Sequence, residues 1–188
     1  MVYLMSQALG FDTKRVVGMA GVLDSARMAF FISEANGGGI KDVRCMVLGG
    51  HGDSMVPLPQ FSTMDGVSVQ ATLPSDEIDA INHRTQHGGA EIVNLLKTGS
   101  AFYAPSAAAV AMAKSILRDE RRLLPCAAYL DGQYGLKGIY MGVPCVLGTN
   151  GVESIVDLEL DAAGREKLEA SATAIRADIE TLKEKGLL

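Results

Sequence analysis

The stretch VRCMVLGGHGDSMVPL, residues 43–58, reads as an apolar strand, Val43 to Leu48, that delivers a glycine-rich turn at Gly49 to Gly52. His51 stands in that turn, just past the carboxyl end of the strand, where fixed scaffolds commonly present reactive groups. Histidine is the side chain that titrates near neutrality without help, and the glycines at 49, 50 and 52 clear side chains from around it so that a substrate can approach. An equally open reading is a structural turn in which Asp53 bonds its own backbone. A serine-protease arrangement is excluded: His51, Asp53 and Ser54 are too close along the chain to converge as base, orienter and nucleophile, and no G-x-S-x-G occurs.

Upstream, FDTKRVVGMAGVL (11–23) suggests a short strand at Val16–Val17 leading into a bend. Asp24 or Ser25 then offers an N-cap for a helix through Ala29, Phe30, Phe31 and Ile32 that stops before Asn36. Asp24 and Arg27 are three apart, hence on one helical face. Arg27 can present its planar fork to a carboxylate with two parallel hydrogen bonds, and the plainer alternative is a local ion pair. The first residues, MVYLMSQALG, place Met1, Leu4, Met5 and Ala8 on one face of a helix closed by Gly10. They are too short for a membrane span and carry no targeting pattern.

Downstream, Phe61 to Leu73 is expected to be extended with a turn at Asp65-Gly66. A helix begins at Pro74-Ser75, with Gly88-Gly89 as a bend, and Pro105 to Arg118 forms another. Leu123–Leu130, Ile139–Met141 and Val143–Leu147 read as meander strands, and Asp161 caps a final helix striped with Leu168, Ile175, Ile179 and Leu182. Strands and helices without regular alternation predict an α+β fold.

Of 188 residues, 48% are hydrophobic and 21% charged, which fits one globular domain with a substantial core. A net charge of −5 gives no basic face for nucleic acid, and no segment suits a membrane. Cys45, Cys126 and Cys145 are far apart in apolar stretches, as expected of reduced thiols in a cytoplasmic protein. His83 and His87 have zinc-ligand spacing, but Arg84 stands where a metalloprotease helix needs Glu, so they are read as a solvated face and no metal is expected. No G-x-G-x-x-G and no G-x-x-x-x-G-K-[ST] is present, so the residues offer no phosphate cradle.

Taken together, VVGMAGVLDSAR (16–27) and VLGGHGDSMVPL (47–58) resemble the lactate/malate dehydrogenase family, in its lactate-dehydrogenase-like malate dehydrogenase branch. Agreement extends through GGAEIVNLLKTGSAFYAPSAA (88–108), LPCAAYLDGQYG (124–135) and YMGVPCVLGTNGVE (140–153), over practically the whole chain. The resemblance implies the carboxyl-terminal, substrate-binding domain fold of that family and hydride transfer between NAD and a 2-hydroxy acid. It implies His51 as the acid/base residue, Asp24 as its orienter, Arg27 as the clamp on the substrate carboxylate and Ser100 as a small hydroxyl beside the substrate. It favours a dicarboxylate, malate, over lactate as substrate, and a homo-oligomer. The family's NAD-binding elements cannot be assigned to any residue here. Residues 1–21 are therefore expected to be a helix and strand remaining from a Rossmann-type cofactor domain, the strand lacking its sheet, and 22–188 to be the substrate-binding domain. On that expectation the chain is a catalytic half, inactive alone; a truncated, non-enzymatic oligomerisation module is the alternative.

Overall fold

A computed structural model describes all 188 residues, and its order of elements bears out the α+β expectation. Helix α1 (Val2–Leu9) closes on Gly10 in the left-handed conformation, as its sequence predicts. Strand β1 (Gly18–Met19) forms just after Val16–Val17, and α2 (Gly21–Asn36) follows almost at once. The chain continues through β2 (Val43–Arg44), β3 (Val47–Gly49), β4 (Met55–Pro57), β5 (Thr63–Met64), β6 (Val67–Ser68) and the single turn α3 (Val69–Thr72). Two helices, α4 (Ser75–Leu96) and α5 (Tyr103–Leu117), precede the long strands β7 (Arg122–Asp131) and β8 (Lys137–Gly148). Strand β9 (Gly151–Ile155) and helix α6 (Ala162–Glu184) complete the fold, α6 being capped by Asp161 through the Gly164 amide at 2.7 Å.

The main sheet is antiparallel, in the order β1-β7-β8-β3-β4, with β9 also on β8. Strand β8 has β7 along one edge; its other edge is shared between β3, attached at Gly49↔Gly142, and β9, attached from Cys145 to Gly148. Helix α2 packs on β3 and β7, α5 on β8, and α6 on β3, β4 and β8. In the β3–β4 pair, Leu48 and Val56 point into one hydrophobic cluster with the β7, β8 and α6 residues. Val47 and Met55 point into a second, with Met28 and Ile32 of α2 and Ile78 and Ile81 of α4. The alternation of side chains along a strand thus makes this pair the wall between two cores.

Several expectations need correction. The strand expected without a sheet is an edge strand of the main sheet: β1 pairs with β7 at Gly18↔Ala127 and Met19↔Cys126, and Val2 of α1 lies against Gly18. Asp24 and Ser25 do not cap α2, which starts at Gly21; there a side chain would strike the Val47 carbonyl and Pro125, so the helix end abuts β3 and β7. The Val43–Leu48 run is two strands in different sheets, because at Met46 the amide turns to Ser62 Oγ (3.4 Å) and the chain leaves β5 for β4. Of Phe61–Leu73 only the two-residue hairpin β5–β6 is extended; Asp65 and Gly66, both at positive φ, form its turn as expected. Helix α4 runs through Gly88-Gly89 unbroken, and the two expected strands at 139–147 are the single strand β8.

All three thiols are free, and burial pushes that of Cys45 up to about 12. Leu130, fully buried in the larger cluster, should cost about 2–5 kcal/mol when cut to Ala, against less than about 0.5 for Leu117, which is 84% exposed; urea unfolding of both variants checks this.

Candidate active site

Asp24 sits in the first turn of α2 and is 1% exposed, facing inward instead of capping the helix. A buried carboxylate needs compensating donors, and two side chains supply charge. His51 Nδ1 lies 3.1 Å from Asp24 Oδ2, in hydrogen-bond geometry, and 3.0 Å from Oδ1. Arg27, one turn along α2, places a guanidinium nitrogen 3.7 Å from Oδ1. The structure therefore brings His51, Asp24 and Arg27 together, with Asp24 as the shared anion.

Engaging Nδ1 leaves Nε2 as the ring nitrogen open for proton exchange, on a side chain that is 42% exposed. The hydrogen bond to Asp24 raises the His51 pKa above its ordinary 6.5, and Asp24's charge adds to this; partial burial and the charge of Arg27 oppose it. The imidazolium thus persists to higher pH than in a free histidine. Stability gained from this pairing is complete below pH 6.5 and is lost as pH rises through the raised value.

The glycines around His51 have causes other than clearing a path for substrate. A side chain at Gly49, which has φ +86°, would come within 2.8 Å of Ser171 Oγ, and one at Gly50 would strike Ser54 Oγ. Only at Gly52, with φ +93°, is the space open, and there the backbone conformation itself favours glycine. The Gly88-Gly89 pair, expected to bend α4, is the floor beneath Arg27. A Cβ at Gly89 would lie 3.6 Å from both terminal guanidinium nitrogens, and one at Gly88 would lie 3.5 Å from Cδ. Sequence reasoning missed Gly88, Gly89 and Ser171 as parts of the site; an adjacent glycine pair inside a helix, which propensity disfavours, was the available signal.

Two cavities adjoin the constellation. One of ≈190 Å³ opens beside His51 and is lined by Met19, Ala20, Gly50, Met141, Asp178 and Ile179, among others. The other, ≈300 Å³ and apolar, lies against Arg27 between α2, α4 and α5, with Leu23, Phe30, Phe31 and Ile92 in its wall. Asp24 Oδ1 and Arg27 Nε are buried without hydrogen-bond partners, the kind of cost that native proteins concentrate at working sites. Ser100 is exposed on the loop between α4 and α5 and forms no hydrogen bond to the other three. His83 and His87 are exposed on α4, their rings stacked at 4.2 Å, with His87 Nδ1 on the His83 carbonyl.

A family model of the lactate/malate dehydrogenase alpha/beta C-terminal domain matches residues 21–186. The chain belongs to the lactate/malate dehydrogenase family. Among its relatives, a malate dehydrogenase of Roseiflexus castenholzii is 53% identical over 184 residues, covering 98% of this chain and 60% of the relative. One of Methanosarcina mazei is 53% identical over 181 residues, covering 96% and 59%. The solved malate dehydrogenase of Salinibacter ruber superimposes with TM-score 0.94 at 45% identity, over 98% of this chain and 61% of that one. A lactate dehydrogenase of Cryptosporidium parvum, complexed with lactic acid and nicotinamide adenine dinucleotide, does so with TM-score 0.91 at 39% identity, over 95% and 58%. This member of the family spans about three fifths of the length of the curated relatives it matches. No helix of it is long and apolar enough to cross a membrane.

In an NMR titration of the histidine ring protons, His51 should show a midpoint above 6.5. In D24N the midpoint should fall to 6.5 or below, because burial and Arg27 then act without the main opposing interaction. An unchanged midpoint in D24N would contradict the assignment of Asp24 as its cause.

Proposed function

We propose that this chain is the substrate-binding, catalytic part of an NAD-dependent malate dehydrogenase, interconverting malate and oxaloacetate. The observation that carries the reading is the Asp24–His51–Arg27 constellation, an oriented proton carrier and a carboxylate binder sharing one buried anion. Its support comes from the malate dehydrogenases among the relatives.

The cavity beside His51 fits one end of the cofactor: its largely apolar lining suits the flat face of a nicotinamide ring, uncharged in the reduced cofactor, with Met19, Ala20 and Met141 as the surfaces to hold it. No lysine or arginine lines that cavity, so the dinucleotide's phosphates find no partner there. NAD, when bound, supplies the hydride in one direction and accepts it in the other. In reduction, His51 Nε2 gives its proton to the C2 oxygen as the carbonyl becomes a hydroxyl; in oxidation, neutral His51 takes that proton back. Asp24 holds Nδ1 protonated and the ring in place. Arg27 grips the C1 carboxylate with two parallel hydrogen bonds, which fixes C2 relative to Nε2. Ser100 meets the substrate from the α4–α5 loop in this reading.

The segment 1–21 is proposed to be the end of the NAD-binding domain and 22–188 the substrate-binding domain, so that catalysis needs the rest of that cofactor domain. The working state is proposed to be a homo-oligomer in the cytoplasm. Exposed apolar side chains on α2 and α5, Phe30, Tyr103 and Leu117 among them, supply a surface for self-association.

Spectrophotometry of NADH oxidation tests the reading. The 188-residue chain should turn over neither oxaloacetate nor pyruvate at a measurable rate. Joined to an NAD-binding half from a relative, it should prefer oxaloacetate. H51N should then lower kcat about 10²–10⁴-fold, and R27Q should lower kcat/KM about 10–150-fold. A preference for pyruvate would move the assignment to lactate; full turnover by H51N would remove His51 from the chemistry.

A further inference from the structure

Helix α6 carries three hydroxyl side chains in its second half or near it, and one behaves differently from the others. Thr173 and Thr181, both exposed, return their hydroxyls to α6 itself, donating to the Glu169 and Ala177 carbonyls at 3.0 Å. Ser171 is 2% exposed and turns away from its helix. Its Oγ accepts the Gly50 backbone N–H at 2.8 Å, a contact between residues 121 positions apart.

Gly50 immediately precedes His51 and lies beyond the last residue at which β3 is paired, Gly49. The hairpin turn closes further on, through the Met55 amide and the Gly52 carbonyl. Gly50 N–H is therefore held by Ser171 and not by the sheet. Gly49 belongs to the same device, since any side chain there would take the space of the Ser171 hydroxyl. Ile175 and Ile179, one and two turns after Ser171 on the same face, line the cavity at His51, so this face of α6 looks onto the turn.

We propose that Ser171 is a positioning residue for His51: its hydroxyl anchors the backbone before the imidazole to α6, while Asp24 anchors the ring to α2. A reactive imidazole on a glycine-rich turn has little else to hold it, because glycines give the backbone wide freedom. Two anchors on opposite helices confine the ring to the pose in which Nδ1 meets Asp24. Removing the hydroxyl leaves a half-buried N–H without its protein partner, and the turn then loosens. The proposal rests on the reading of His51 as the acid/base group. It is tested without turnover, so its failure is separate from that of the reading, which is decided by the activity of H51N.

The test uses the ¹⁵N-labelled 188-residue chain. In the unaltered protein the Gly50 amide should exchange with solvent at least about tenfold more slowly than that of Gly52, which forms no hydrogen bond. In S171A, Gly50 should speed up at least about tenfold, and the His51 titration midpoint should fall toward 6.5 as the Asp24 contact loosens. The titratable groups around His51 are unchanged in that variant: Asp24 and Arg27 on α2, and the Met1 amino group, Tyr3, Tyr140 and Asp178, whose residues line the same cavity. S171C, of similar size and a weaker acceptor, should fall between, and T173A should match the unaltered chain. Equal exchange of Gly50 and Gly52 in the unaltered protein would overturn the proposal, and this comparison needs no variant to fold. A S171A chain with faster Gly50 exchange but an unmoved His51 midpoint would also overturn it, since the hydroxyl would then be merely structural.

Discussion

A carboxylate withdrawn from water, Asp24, is the constraint around which the rest of this site is arranged. Nearly inaccessible, it is tolerable only because basic side chains lie close by. His51 and Arg27 are those partners, and they reach it from a strand turn and from the next turn of the same helix. The backbone around Gly21 makes this possible by letting α2 begin in contact with β3 and β7. A shift of the helix by one residue would rotate Asp24 away from the imidazole. The position of α2 on the sheet and the proton chemistry at His51 are therefore two aspects of one packing arrangement.

How much of this is legible in the sequence depends on the distance along the chain over which the information is stored. The Asp24–Arg27 spacing and the strand-to-turn placement of His51 are local patterns, and both survive in the structure. The contacts of Gly88, Gly89 and Ser171 are made to residues far away in sequence, so local patterns could not assign them. Gly142 was mistaken for a break between two strands because it lacks a side chain. It is the point where β8 receives β3, and a Cβ there would come 2.6 Å from the Gly49 carbonyl. Strand β9 was missed because Glu153 and Ser154 interrupt its short apolar pattern, while its pairing with β8 is set by a two-residue turn at Thr149-Asn150. The inward turn of Asp24 was hidden by its suitability as a helix cap, a role that propensity favours and the burial of the site overrides.

The amino-terminal segment shows the same limit of local reading. Its helix is present where the pattern places it, whereas the strand expected at Val16–Val17 forms two residues later, at Gly18–Met19. What the pattern could not supply is the partner: β1 joins the main sheet through Cys126 and Ala127, and α1 lies over it with Val2 at Gly18. Sheet membership is a property of tertiary pairing, and a two-residue strand carries too little pattern to announce its neighbour.

The pair β3–β4 stands between the two hydrophobic clusters, giving Leu48 and Val56 to one and Val47 and Met55 to the other, with the His51 turn at its tip. It is a party wall, and a party wall moves when either house settles. A substitution deep in either core, however remote from any substrate, acts on the same four side chains whose packing sets the height and tilt of the turn. Selection on the durability of this protein and selection on its chemistry therefore fall on overlapping residues, and neither can drift freely of the other.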